Sequence, residues 1–150
     1  MGNACYKVLE PPTIKKSLDS SEVYNIIKNA TGCQTILLMD SKYDCIEIED
    51  VKRFLQFNTN KKYRINRYDC DDFSFSLIAR FREWAYDANS ENGLLFGLIT
   101  GNLIALPTDD PRPHATGFFI GSDEKLYICD GMWNSIMEYK PYMGIWSVVL

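Results

Sequence analysis

The order of the sequence patterns predicts an α+β domain. Apolar residues recur at helical spacing in the first half of the chain, and extended apolar runs bounded by turn residues fill the second half. No low-complexity tract, repeat or linker divides them, so residues 1–150 read as a single domain. Two to three helices followed by three to five mostly antiparallel strands are expected.

Residues 1–18, with "EPPT" and little periodicity, read as an irregular lead-in. "DSSEVYNIIKNATG" reads as a helix, with a Ser or Asp cap, Val23, Ile26, Ile27 and Ala30 at helical spacing, and Gly32 as its stop. "QTILLMD" reads as a short buried extended run ending at Asp40. "EDVKRFLQFN" predicts a second helix with Val51, Phe54 and Leu55 on its buried face. A longer helix starts at Cys70, where Phe73, Leu77, Phe81 and Trp84 make one strongly apolar face and Asp71 and Asp72 occupy the first turn. After the polar "YDANSEN", the runs "GLLFGLITG", "NLIALP", "HATGFFIG", "KLYICD" and "GIWSVVL" read as strands, with "SDE" as a turn.

Composition removes several function classes. The chain has 46% hydrophobic and 13% aromatic residues, as a folded domain does. Its net charge is −4, with no basic cluster beyond short runs such as Lys61-Lys62, which argues against a nucleic-acid or anionic-membrane partner. Five cysteines, Cys5, Cys33, Cys45, Cys70 and Cys129, form no CxxC pair and no metal-ligand spacing. They read as reduced thiols of a cytoplasmic protein. No signal peptide or membrane-spanning run is visible. Gly2 and Cys5 invite lipidation, but Tyr6 stands where the myristoylation pattern wants Ser or Thr.

The informative stretch is "RYDCDDFSFSLIARF". A cysteine nucleophile needs a base or ion-pair partner and a third group to orient it. Cys70 stands at a helix start, where free amides and the dipole lower a thiol pKa. His114 is the one histidine in the chain and opens a strand, while Asp130 ends the next, joined by "GSDEK". A hairpin of that form brings both to one end of a sheet. A lone Cys at a helix start is more often a packing residue, and a lone His after "DPRP" a loop histidine. The three together point to nucleophilic catalysis.

These same residues carry a family resemblance. "YDCDDFSFSL", "PHATGFFI" and "KLYICD" resemble the papain-like and transglutaminase-like cysteine peptidase superfamily, over roughly residues 36–130. The nearest kin are small forms with a C-[DE]-D-[FY]-A motif, among them the C-terminal peptidase domain of certain fungal agglutinins and bacterial transglutaminase-like cysteine proteinases. Here the motif reads Cys70-Asp71-Asp72-Phe73-Ser74, with Ser for the usual Ala. The resemblance implies a papain-like fold, in which a central helix with Cys70 at its N-terminus packs on an antiparallel sheet. It implies Cys70 as nucleophile, His114 as base and Asp130 as orienting acid, with Asn134 as the rival third member, acting on a peptide or amide. The oxyanion hole would use the Cys70 N–H and an upstream side chain. Papain's Gln position is Arg64 here, which leaves Tyr63, Asn66, Tyr68 and Gln56 as candidates.

The agglutinin resemblance also raises Ca²⁺, for which Asp69, Asp71, Asp72, Asp109 and Asp110 could supply oxygen ligands, though no EF-hand spacing is present. The peptidase chemistry itself requires no cofactor. Two other functions stand beside the enzyme: an inactive papain-like interaction module, and a metal-binding or lectin-like accessory domain.

Overall fold

The computed structural model describes residues 9–58, 62–64, 67, 69–104 and 110–150. The readings made on Gly2, Cys5, Tyr6, Lys61, Asn66, Tyr68 and Asp109 lie outside these residues.

The chain begins with strand β1 (Ser17–Asp19) and helix α1 (Ser20–Thr31). Asp19 caps α1 in a reciprocal capping box with Glu22, and Gly32 ends it at φ 66, a left-handed conformation that glycine adopts without steric cost. Strands β2 (Thr35–Leu37) and β3 (Lys42–Asp44) lead to α2 (Ile48–Phe57). Helix α3 (Cys70–Trp84) runs into a single 3-10 turn, Ala85–Asp87. The remaining strands are β4 (Gly93–Leu94), β5 (Phe96–Ile104), β6 (Pro111–Ile120), β7 (Leu126–Asp130), β8 (Ser135–Glu138) and β9 (Gly144–Val149).

The fold is α+β with mixed sheets. A small sheet has the order β1-β3-β4, and a large one the order β2-β9-β5-β6-β7-β8. The pairs β2–β9 and β3–β4 are parallel, and the other pairs are antiparallel. The large sheet is buried on both faces. One face packs Ile99, Phe118, Ile120, Leu126 and Ile128 against Val23 and Ile27 of α1. The other packs Phe96, Phe119, Tyr127 and Cys129 against Val51, Phe54 and Leu55 of α2 and Leu77, Phe81 and Trp84 of α3. Leu126 and Ile128 thus face away from Tyr127 and Cys129, as strand alternation requires.

Several expectations are corrected. Ser17 and Leu18 are paired in β1, not irregular, because Leu18 is drawn into the core opposite Tyr43. The "QTILLMD" run is the edge of the large sheet, and Leu37 and Met39 are exposed. Ala30 is exposed on α1. "GLLFGLITG" and the start of "NLIALP" form the continuous β5, and the polar-tinged "SIME" adds β8. Strand β6 starts at Pro111, so His114 lies inside the strand and does not open it.

Stacked rings tie the helices to the sheet. Phe81 lies 4.1 Å from Phe96 with rings nearly parallel, and 5.1 and 5.3 Å from Phe54 and Trp84 edge-on. Phe119 continues the stack to Tyr127 at 5.0 Å. Truncating Phe81 to Ala opens a cavity at the centre of this array and is expected to cost about 3–5 kcal/mol. Chemical denaturation measures it; a loss below about 1 kcal/mol would show that the array repacks around the gap.

Candidate active site

The start of α3 explains why Cys70 is flanked by acids. Asp69 is the N-cap, and the Asp72 carboxylate accepts its backbone N–H at 3.2 Å, as in a capping box. Asp71 and Asp72 sit in the first turn, where the helix dipole favours negative charge. The Asp71 carboxyl lies below its usual range, first through the side-chain hydrogen bond it shares with Asp69. The acids therefore serve the helix end, and Cys70 is its first residue, where backbone N–H groups have no partner within the helix.

Among the described cysteines, Cys70 is the half-buried one. Cys33, Cys45 and Cys129 are buried. Burial pushes the Cys45 thiol up to about 11. Burial, with the neighbouring Asp130 charge, pushes Cys129 up further. Both are held as neutral packing groups.

His114 and Asp130 meet across the β6–β7 hairpin. His114 Nε2 lies 2.9 Å from Asp130 Oδ2, with both side chains more than nine-tenths buried. The other carboxylate oxygen, Oδ1, accepts the Met132 N–H at 2.8 Å. Both oxygens of a buried acid are thereby satisfied, which is the condition for keeping one. Nδ1 is the ring nitrogen left for another partner.

The helix tip is fastened to the same strand. Ser74 Oγ lies 2.6 Å from the Cys70 carbonyl oxygen and 3.0 Å from the Ala115 carbonyl oxygen, one residue along from His114. A Cβ on Gly131, next to Asp130, would stand 3.0 Å from Leu77 Cβ and 3.2 Å from the Phe73 carbonyl, so a larger residue there would crowd α3. Among the described residues no hydrogen bond links Cys70 to His114. One hydrogen bond between their elements runs from Ser74 to the Ala115 carbonyl.

Asn134 takes a different place. It stands at φ 50 in the β7–β8 turn, and its Nδ2 donates to the Asn58 carbonyl at 3.0 Å, while Asn58 Nδ2 donates to its side-chain oxygen. It ties the end of α2 to the turn after Asp130. Of the oxyanion candidates, Tyr63 and Gln56 are exposed, as is Arg64. Ser74 and the Asn58–Asn134 tie were not assigned roles from sequence. The available signal for Ser74 was a polar residue on the apolar stripe of α3, between Phe73 and Leu77.

For a cation, donor atoms of Asp69, Cys70 and Asp71 lie within 4.8 Å of one another. Asp72 serves the cap, and Asp110 is exposed at the foot of β6. Two carboxylates and a thiol do not fit Ca²⁺, which takes roughly six to eight oxygens. No helix among the described residues is long and apolar enough to cross a membrane.

No protein-family model matches the sequence, and no curated protein matches it. Among solved structures, a "PSL1a-E64 complex" is similar with a TM-score of 0.74 and 15% identity, over 91% of this chain. The match covers 52% of that chain, so the present one spans about half its length. At this identity the likeness shows a shared fold.

Proposed function

We propose that this chain is a papain-like cysteine peptidase or amidase domain, a member of the superfamily its Cys70 motif resembles, acting through Cys70, His114 and Asp130. The observation that carries the reading is the buried His114–Asp130 hydrogen bond beside the tip of a helix whose first residue is a half-buried cysteine. The fold shared with a complex of E64, a cysteine protease inhibitor, supports it.

In this reading Asp130 holds Nε2 and Nδ1 faces the thiol. Proton transfer from sulfur to Nδ1 gives a thiolate–imidazolium pair, favoured by the Asp130 charge and by the helix end. The thiolate adds to the substrate carbonyl carbon, and the oxygen takes up the displaced electron pair near the Cys70 N–H. His114 then gives its proton to the leaving amine as the C–N bond breaks, which leaves an acyl-thioester on Cys70. Water, losing a proton to His114, displaces the sulfur and releases the acid. An acceptor amine in place of water would give transfer through the same intermediate.

Iodoacetamide labelling at neutral pH, read by peptide mass, tests the reading. Cys70 is expected to label first and Cys45 and Cys129 last, since burial holds the latter two as thiols. Prior incubation with E64 should protect Cys70. If Cys5 or Cys45 labels first and Cys70 resists, the thiolate pair is absent, and the interaction-module reading takes its place.

A further inference from the structure

We propose that Ser74 is a positioning residue that holds the nucleophile against the strand carrying its base. The proposal rests on the triad reading. Its own ground is geometric: one hydroxyl, 1% exposed, lies within hydrogen-bond distance of both the Cys70 carbonyl and the Ala115 carbonyl.

The two bonds differ in kind. The bond to Cys70, one turn back, is the local back-bond that a serine inside a helix often makes, and alone it stabilises little. The bond to Ala115 spans 41 positions of chain and joins two elements. Pro111 and Pro113, lacking N–H groups, must turn their backbones away from the β5 ladder. Ala115 shares their parity, so its carbonyl is turned to the side away from β5. Regular pairing of β6 with β7 begins only at Gly117, beyond this point. Ser74 therefore grips β6 where the strand extends past its neighbour, one residue from His114. The hydroxyl has one hydrogen to share between the two carbonyls, and its place within reach of both sets the helix tip beside the strand.

Loss of that hydroxyl would let the tip of α3 recede from β6, which weakens the attraction between imidazolium and thiolate. The packing beneath would remain, because Leu77, Phe81 and Trp84 anchor the rest of α3 and Ala is the best helix former. Ser74 touches neither substrate nor the reacting atoms, so its effect should show in the titration of Cys70 and not in the fold.

The experiment is the rate of Cys70 alkylation by iodoacetamide between about pH 5 and 9, in the wild type, S74A, S74T and H114A, with Cys45 as internal reference. The wild type is expected to show an acidic midpoint that H114A removes. S74A should raise that midpoint by about one pH unit, an about tenfold loss of thiolate below it, with circular dichroism unchanged. S74T, which keeps a hydroxyl that can donate to the Ala115 carbonyl, should track the wild type. An S74A profile that superimposes on the wild type overturns the proposal. So does an S74T profile displaced as far as that of S74A, or an S74A chain that does not fold. If the wild type itself lacks the acidic midpoint, the triad reading fails first; a wild-type midpoint with a silent S74A sinks the positioning role alone.

Discussion

His114→Ala is expected to lower turnover on a cleaved peptide by about 10⁴- to 10⁶-fold, the range over which triad members act as a unit. The chain holds one histidine, so no second imidazole can take over as base. In the proposed reading the substitution removes the base that would take the Cys70 proton, and alkylation of Cys70 at neutral pH should fall with turnover. It also strips Asp130 Oδ2 of its partner inside the protein, at a cost of about 1–3 kcal/mol. His114→Gln separates the two effects. An amide can donate to Asp130 and recover stability, yet it is no base at neutral pH, so activity should stay lost. A Gln variant that keeps more than about a tenth of wild-type turnover would remove His114 from the mechanism.

Helices were the legible part of this fold because their signals are local. Asp19, Glu22 and Gly32 bracket α1, and the apolar stripes of α2 and α3 face the core where the spacing put them. Three-residue strands carry no such signal. β1 and β3 exist because Leu18 and Tyr43 are brought opposite each other by the rest of the chain. Hydrophobicity misled at β2, whose run of apolar residues reads as buried although the strand lies at the sheet edge. Gly101 suggests a break within β5. The strand continues there because a Cβ would stand 2.2 Å from the Gly144 carbonyl oxygen, and glycine alone allows that approach.

The candidate site was legible where chemistry restricts the residue type. A cysteine opening a helix, a unique histidine and a strand-ending aspartate can be read from one sequence. Between Asp130 and Asn134, spacing and the strand-end position favour Asp130, which closes its strand while Asn134 lies in the turn beyond. That choice depends on a turn that sends Asn134 back to Asn58 while Asp130 stays beneath His114. Ser74 was visible as a polar residue on the apolar stripe of α3 and as Ser where the motif usually has Ala. Its bond partner lies on a strand whose register no local pattern specifies.

Asp130→Asn is the substitution that tests the orienting role by itself, and it is expected to reduce turnover by between about tenfold and about 10⁴-fold, the upper figure being that of a serine triad. The size is kept, and the Met132 N–H determines how the new amide sits. Its oxygen takes the place of Oδ1 on that N–H, so the NH₂ group points at His114 Nε2. Nε2 must then accept, which moves the ring proton to Nδ1, the nitrogen that should take the proton from Cys70. The loss of charge also destabilises the imidazolium, so the Cys70 alkylation midpoint should rise together with the fall in turnover. Asn134→Ala cuts the tie to Asn58 and puts alanine at φ 50, a left-handed position that asparagine tolerates better, so it lowers stability, yet it leaves the His114–Asp130 bond in place. Its turnover should remain within a few-fold of the wild type. Both variants are measured on the same peptide, with circular dichroism and a denaturation midpoint for each. If the Asn134 change abolishes activity in a folded protein and the Asp130 change is silent, the third member of the site is Asn134, and His114 is oriented from the other side of the turn.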